Sequence, residues 1–70
     1  MTPSITLYKL GNARKLVFVK GTERYIFLFT PSEEDKLMRT MGRFAANPEL
    51  SFTWYDAAVC SHHVKARVKR

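Results

Sequence analysis

Asp56, Cys60 and His63 are the residues whose types and spacing come nearest to a chemical site. On a helix, side chains three or four positions apart lie on one face, so these three would stand about one turn apart. A carboxylate, a thiolate and an imidazole all bind zinc, but structural zinc sites take four ligands and usually include pairs of cysteines. The neighbouring His62 would point about 100° away from His63. We therefore expect neither a metal nor a cofactor, and the alternative interpretation is a solvated polar face with a half-buried cysteine.

Cys60 and His63 also have the residue types of a nucleophile and its general base. Catalysis would further need a third group to orient the base, an oxyanion hole and a pocket, for which a small domain has little room. The sequence contains no glycine-rich phosphate loop and no nucleophile elbow. We therefore expect no enzymatic activity and no small-molecule substrate.

Basic residues interleaved with aromatic ones are the more informative pattern. Lysines and arginines at strand ends and turns can neutralise phosphates, and exposed tyrosines, here Tyr8 and Tyr25, can stack on unpaired bases. This pattern predicts weak nucleic-acid binding through the sheet turns and the C-terminal segment. The alternative is that lysines at strand ends only protect the sheet edge. The residues predicted to contact nucleic acid are Lys9, Arg14, Lys15, Lys20, Arg24, Lys65, Arg67, Lys69 and Arg70.

The composition indicates one small basic domain over residues 1–70. A hydrophobic fraction of 46% excludes wholesale disorder, and a net charge of +6 favours polyanionic partners. Residues 65–70 hold four cations and no anion, and are predicted to form a basic tail. The single Cys60 cannot form an internal disulfide, and no run of about 20 apolar residues is present. Because the first residues also lack the features of a signal peptide, we expect a cytoplasmic protein that does not contact a membrane.

Three strands are predicted in the first half of the chain, at residues 5–10, 15–20 and 25–29. Each is rich in strand-forming residues, and Gly11-Asn12 and Gly21-Thr22 separate them. Connections of about three to five residues should join the strands as an antiparallel meander, with the second strand in the middle. Five consecutive apolar residues in the third strand favour burial on both of its faces.

The first helix has the best local start signals in the chain. Thr30 and Glu33 have the spacing of a capping box, and Pro31 suits the first helical position. An apolar stripe continues to about residue 45, and Asn47-Pro48 should end the helix.

The last segment is ambiguous between helix and strand. Thr53 and Asp56 have the spacing of a second capping box and predict a helix from 53 to about 65. Val64, Ala66 and Val68 alternate with cations, which is typical of a strand. The alanine-rich stretch at 54–60 favours the helix.

The predicted fold class is therefore α+β, a three-stranded antiparallel meander followed by two helices (β-β-β-α-α). The second and third strands are apolar on both faces: Leu16 and Phe18 oppose Val17 and Val19, so both faces of the sheet need cover. Either each helix takes one face, or both helices lie on one face and a partner covers the other. The second arrangement supports an alternative function, a protein-interaction module or a homodimer that buries the spare apolar face.

Overall fold

The computed structural model describes the backbone of residues 3–68 and the side chains of residues 3–66. Three strands precede two helices, which confirms the predicted α+β class and element order. The elements are β1 (Ser4–Leu10), β2 (Ala13–Lys20), β3 (Glu23–Phe29), α1 (Glu34–Ala46) and α2 (Trp54–Val68).

The strands form an antiparallel meander with β2 in the centre, as predicted. Leu16 of β2 stands opposite Leu7 on one side and Phe27 on the other. The connections are shorter than the expected three to five residues, because the ladders continue to two-residue turns. Gly11 and Gly21 open these turns with φ of 60° and 61°, a left-handed conformation that glycine adopts without steric cost.

The chain enters α1 through a short 3₁₀ turn, Pro31–Glu33. The Thr30 N–H donates to Glu33 Oε1 (3.1 Å), and the Glu33 N–H donates to the Thr30 carbonyl (2.8 Å). Glu33 therefore contributes to the cap as the sequence spacing predicted, although regular α-helix begins only at Glu34. The helix ends at Ala46, just before the predicted Asn47-Pro48 stop.

The second predicted capping box is complete at the start of α2. The Asp56 N–H donates to Thr53 Oγ1 (3.1 Å), and the Thr53 N–H donates to Asp56 Oδ2 (3.0 Å). The helical interpretation of this segment is confirmed and the strand alternative is wrong. The helix reaches Val68, beyond the expected end near residue 65, so the first part of the basic tail is helical.

Both helices pack on the same face of the sheet. Leu16, Phe18 and the inward residues of β3 form one core with Leu37 and Met41 of α1 and with Cys60 and Val64 of α2. The expectation that β3 is buried on both faces is wrong, since Ile26 and Leu28 point away from the helices and are exposed. The reason is that α1 and α2 together cover one side of a three-stranded sheet and leave the other side open.

Candidate functional site: the open face of the sheet

The face of the sheet that no helix covers has an apolar centre. Strand alternation and register place Val17 beside Ile26 in the middle of this face, with Val19 and Leu28 in the neighbouring rows. Ile26 is 52% exposed and Leu28 is 69% exposed. We call this surface the open face; its members are Ser4, Thr6, Tyr8, Leu10, Ala13, Lys15, Val17, Val19, Arg24, Ile26 and Leu28.

The charged residues of the open face are all cations. Lys15 lies between Tyr8 and Leu28 in the register, and its Nζ stands 5.1 Å from the centre of the Tyr8 ring. Arg24 lies opposite Val19, one row beyond the apolar centre. The open face contains no aspartate or glutamate. It therefore presents an apolar strip with one cation on each side.

Lys20 does not share this exposed position. Its Nζ donates to Asp56 Oδ2 (2.7 Å) and to the Ser51 carbonyl (2.8 Å), on the helix side of the sheet. The contact ties the end of β2 to the start of α2, so this predicted nucleic-acid residue is engaged in holding the fold together.

Lys9 and Arg14 lie toward the end of the sheet that carries the first turn. Lys9 and Arg14 are opposite one another in the β1–β2 ladder. Lys65 is exposed on α2, whose start is tied to the opposite end of the sheet by the Lys20–Asp56 contact. The Arg14 guanidinium donates to the carbonyls of Gly11 and Ala13, which ties it to the turn.

The remaining predicted contact residues fall at the limit of the described structure. The backbone of Arg67 belongs to α2, while its side chain lies outside the described residues, as do Lys69 and Arg70.

Tyr25 is not available to stack on a base, contrary to the expectation from its sequence context. Its ring packs in the core against Phe18, Phe44 and Phe52, and its hydroxyl accepts a hydrogen bond from the Ser51 N–H (3.1 Å). Tyr25 points inward because it stands one position away from the open-face residues Arg24 and Ile26. Tyr8 is on the open face and remains exposed.

Asp56, Cys60 and His63 do lie on α2, but the first two are structural. Burial raises the pKa of Asp56, yet hydrogen bonds from Lys20 and Thr53 and the Lys20 charge outweigh it, so the pKa falls below 3.8. Burial, and secondarily the Asp56 carboxylate, raises the pKa of the Cys60 thiol to about 12. Within the described part of the chain, no three His, Cys, Asp or Glu side chains are arranged to hold a metal ion.

The sequence indicates that one apolar face of the sheet can lack a covering helix, but it does not identify the residues that lie together on that face. Two-sided apolar strands indicated that one face would need a partner if both helices packed on the other. Which residues share that face depends on the register of the three strands, and this register follows from turns shorter than expected.

Neither helix in residues 3–68 has the length and apolar character needed to cross a membrane. Comparisons with protein-family models, with curated proteins and with solved structures find no match for this chain.

Proposed function

We propose that this chain is a non-enzymatic binding module whose open face docks a protein with an apolar centre and an acidic margin. The observation that carries the proposal is that both helices lie on one side of the sheet and leave Ile26 and Leu28 exposed on the other. Contiguous apolar surface of this kind usually marks an interaction site, because leaving it in water is unfavourable.

The charges of the open face indicate the chemistry of the partner. Lys15 and Arg24 flank the apolar strip, and no carboxylate on this face neutralises them. Docking two copies face to face would bring cations together with no anion between them. Acidic groups on a different protein complement the face better.

The size of the open face points to a transient complex. Three strands about 4.8 Å apart and seven residues long present roughly 300 Å² in projection. A standard stable interface buries about 800 Å² on each partner. We therefore expect the complex to form and dissociate readily.

We propose that the chain is not an enzyme because of the environment of Cys60. By residue type, Cys60 is the strongest nucleophile in the chain. Its side chain is fully buried and its thiol pKa is raised to about 12, so the thiolate that would attack a substrate does not form near neutral pH.

Nucleic-acid binding is a second candidate, and the free cations favour it. Among the lysine and arginine side chains of residues 3–66, only that of Lys20 pairs with a carboxylate. The predicted contact residues Lys9, Lys15, Arg24 and Lys65 therefore remain available to phosphates, whereas the Arg14 guanidinium is engaged by backbone carbonyls of the first turn. Tyr8 is exposed beside Lys15. The aliphatic centre of the open face is less suited to bases than aromatic side chains would be, and for this reason the protein partner ranks first.

The test compares wild type with Val17→Lys as immobilised baits in a lysate of the native cell. Val17 is central on the open face, and a lysine there places a charge in the apolar strip while the strand remains able to form. Ala46→Lys, at an exposed end of α1, is the matched control for the added charge. Proteins retained by wild type are then purified, and their affinities for all three baits are measured at low and high salt.

We expect an acidic protein that binds wild type and Ala46→Lys equally and binds Val17→Lys at least tenfold more weakly. The affinity of this protein for wild type should fall with added salt. The charge-reversal substitutions Lys15→Glu and Arg24→Glu should also lower the affinity. Equal retention by wild type and Val17→Lys would refute the proposal. Retention of nuclease-sensitive material, with an affinity that falls by a log–log salt slope of about −0.9 per phosphate contacted, would instead favour the nucleic-acid candidate.

A further inference from the structure

A groove of about 250 Å³ runs along the outer edge of β3 and borders the open face, with which it shares Ile26 and Leu28. Four consecutive residues of β3, positions 26–29, line it on one side. Consecutive side chains of a strand point to opposite faces, so a groove bordered by all four must follow the backbone edge. The other wall is one stripe of α1 that includes Lys36, Leu37, Thr40 and Phe44.

The backbone edge that borders this groove lacks a strand partner within residues 3–68. The sheet order is β1-β2-β3, so β3 pairs with β2 on one side only. Natural proteins usually protect such an edge with charged residues or proline, but β3 carries charge only at Glu23 and Arg24. The five residues that follow are uncharged strand formers and leave the edge suited to accept another strand.

The rim of the groove carries one carboxylate and two cations. The Glu33 carboxylate lines the groove and accepts the Thr30 N–H of the helix cap (3.1 Å) while keeping its negative charge. Lys36 is exposed at the rim, and Arg43 Nη2 donates to Thr40 Oγ1 (3.3 Å), which holds the guanidinium beside the groove. Glu33, Lys36 and Arg43 together leave one net positive charge at the rim, which attracts a carboxylate in the occupant.

We infer that the groove between β3 and α1 binds an extended peptide segment of another protein, which adds to β3 as a fourth strand. Backbone hydrogen bonds to the edge of β3 provide the attachment. An apolar side chain enters the groove over Leu37 and Phe44, and a carboxylate of the peptide pairs with Lys36. Strand addition of this kind draws affinity from the main chain and specificity from alternate side chains.

The charges favour a foreign peptide over a second copy of this chain. Pairing β3 with its own copy about a two-fold axis would bring Lys36 and Arg43 of each copy, which outnumber the Glu33 carboxylates, to the same shared edge between two molecules of net charge +6. An acidic peptide meets the same cations with attraction.

The experiment selects a displayed library of random heptapeptides on wild type, with counter-selection on Thr40→Arg. Thr40 lies midway along the helical wall, and an arginine there fills the groove without unfavourable helix propensity. Ala46→Arg adds the same charge to an exposed position of α1 outside the groove and serves as the matched control. Selected peptides are then synthesised, and their affinities and the amide shifts they cause are measured.

Selected peptides should alternate apolar residues and contain an aspartate or glutamate. They should bind Ala46→Arg within twofold of wild type, bind Thr40→Arg at least tenfold more weakly, and shift the amides of residues 26–29. Proline in the middle of a peptide should abolish binding, because it removes a donor from the added strand. Lys36→Glu should reverse the preference, so that a peptide with lysine in place of its acid binds better than the original.

Equal binding to wild type and Thr40→Arg, or a library with no enriched peptide, would overturn the inference. Protection of β3 amides that rises with protein concentration in the absence of peptide would also overturn it, in favour of a second copy. Val17 belongs to the open face but does not line the groove, so Val17→Lys should leave peptide binding within twofold of wild type. Failure of this inference is thereby distinguishable from failure of the open-face proposal.

Discussion

Asp56 makes two structural contacts, of which its sequence context indicates only one. Its Oδ2 accepts the Thr53 N–H at the start of α2 and the Lys20 ammonium from the end of β2. The first contact follows from the spacing of Thr53 and Asp56 in the sequence. The second joins residues 36 positions apart, and no local pattern indicates it. Lys20 was therefore predicted to contact nucleic acid, since a lysine at a strand end is normally solvated.

These contacts predict a pH dependence of stability. Because the folded pKa of Asp56 lies below 3.8, its contribution is present above that pH and is lost as pH falls through the folded pKa. Asp56→Asn should lower the free energy of unfolding by about 1–3 kcal/mol near pH 6, and the difference from wild type should shrink below about pH 4. Urea unfolding at several pH values measures this. Glu49→Gln, the same change at an exposed site, should show little effect at any of them; a constant Asp56→Asn difference down to pH 2 would contradict the assignment.

At the scale of the elements, local signals predicted the helices and strands well because each signal acts over a few residues. The capping spacings of Thr30 with Glu33 and of Thr53 with Asp56 located both helix starts. Non-local packing was harder to predict: alternation showed that β2 and β3 are apolar on both faces, but it could not decide how many helices cover each face. No local sequence pattern predicts the groove beside β3, because its walls come from two elements that meet only after folding.

Gly42 is expected to lower the stability of α1, because glycine has a lower helix propensity than alanine. This glycine lies inside the helix, and a Cβ added to it would stand 3.9 Å from the Trp54 ring, an ordinary contact distance. Gly42→Ala should therefore raise the free energy of unfolding by about 0.5–1 kcal/mol through better helix propensity. Gly21→Ala provides the opposing control, because its φ of 61° disfavours a side chain and the variant should be destabilised. If Gly42→Ala melts below wild type, the space beside Trp54 is smaller than the geometry indicates.

At the scale of the whole molecule, Phe52 packs against three elements that are distant from one another in the sequence, β2, β3 and α1. It lies in the connection between α1 and α2, directly before the capping residue Thr53. It is 1% exposed, and its ring contacts those of Phe18, Tyr25, Phe27 and Phe44 at centroid distances of 5.2–6.0 Å. The connection between the helices thus places its aromatic side chain where β2, β3 and α1 meet.

Removing that ring should affect the entire fold, because a domain of 70 residues has little stability to spare. Phe52→Ala should cost about 3–5 kcal/mol, through lost burial and the cavity left among the other rings. We expect loss of the cooperative urea transition and of the aromatic circular dichroism signal at 25 °C.

Phe52→Leu, which retains most of the volume, should still unfold cooperatively at a lower urea midpoint. Tyr55→Ala removes another aromatic ring, from a residue that is 77% exposed, and should change the free energy of unfolding by less than about 0.5 kcal/mol. If Phe52→Ala instead unfolds at nearly the same urea concentration as Tyr55→Ala, the core does not depend on the connection between the helices, and the packing of both helices on one face of the sheet would need another cause.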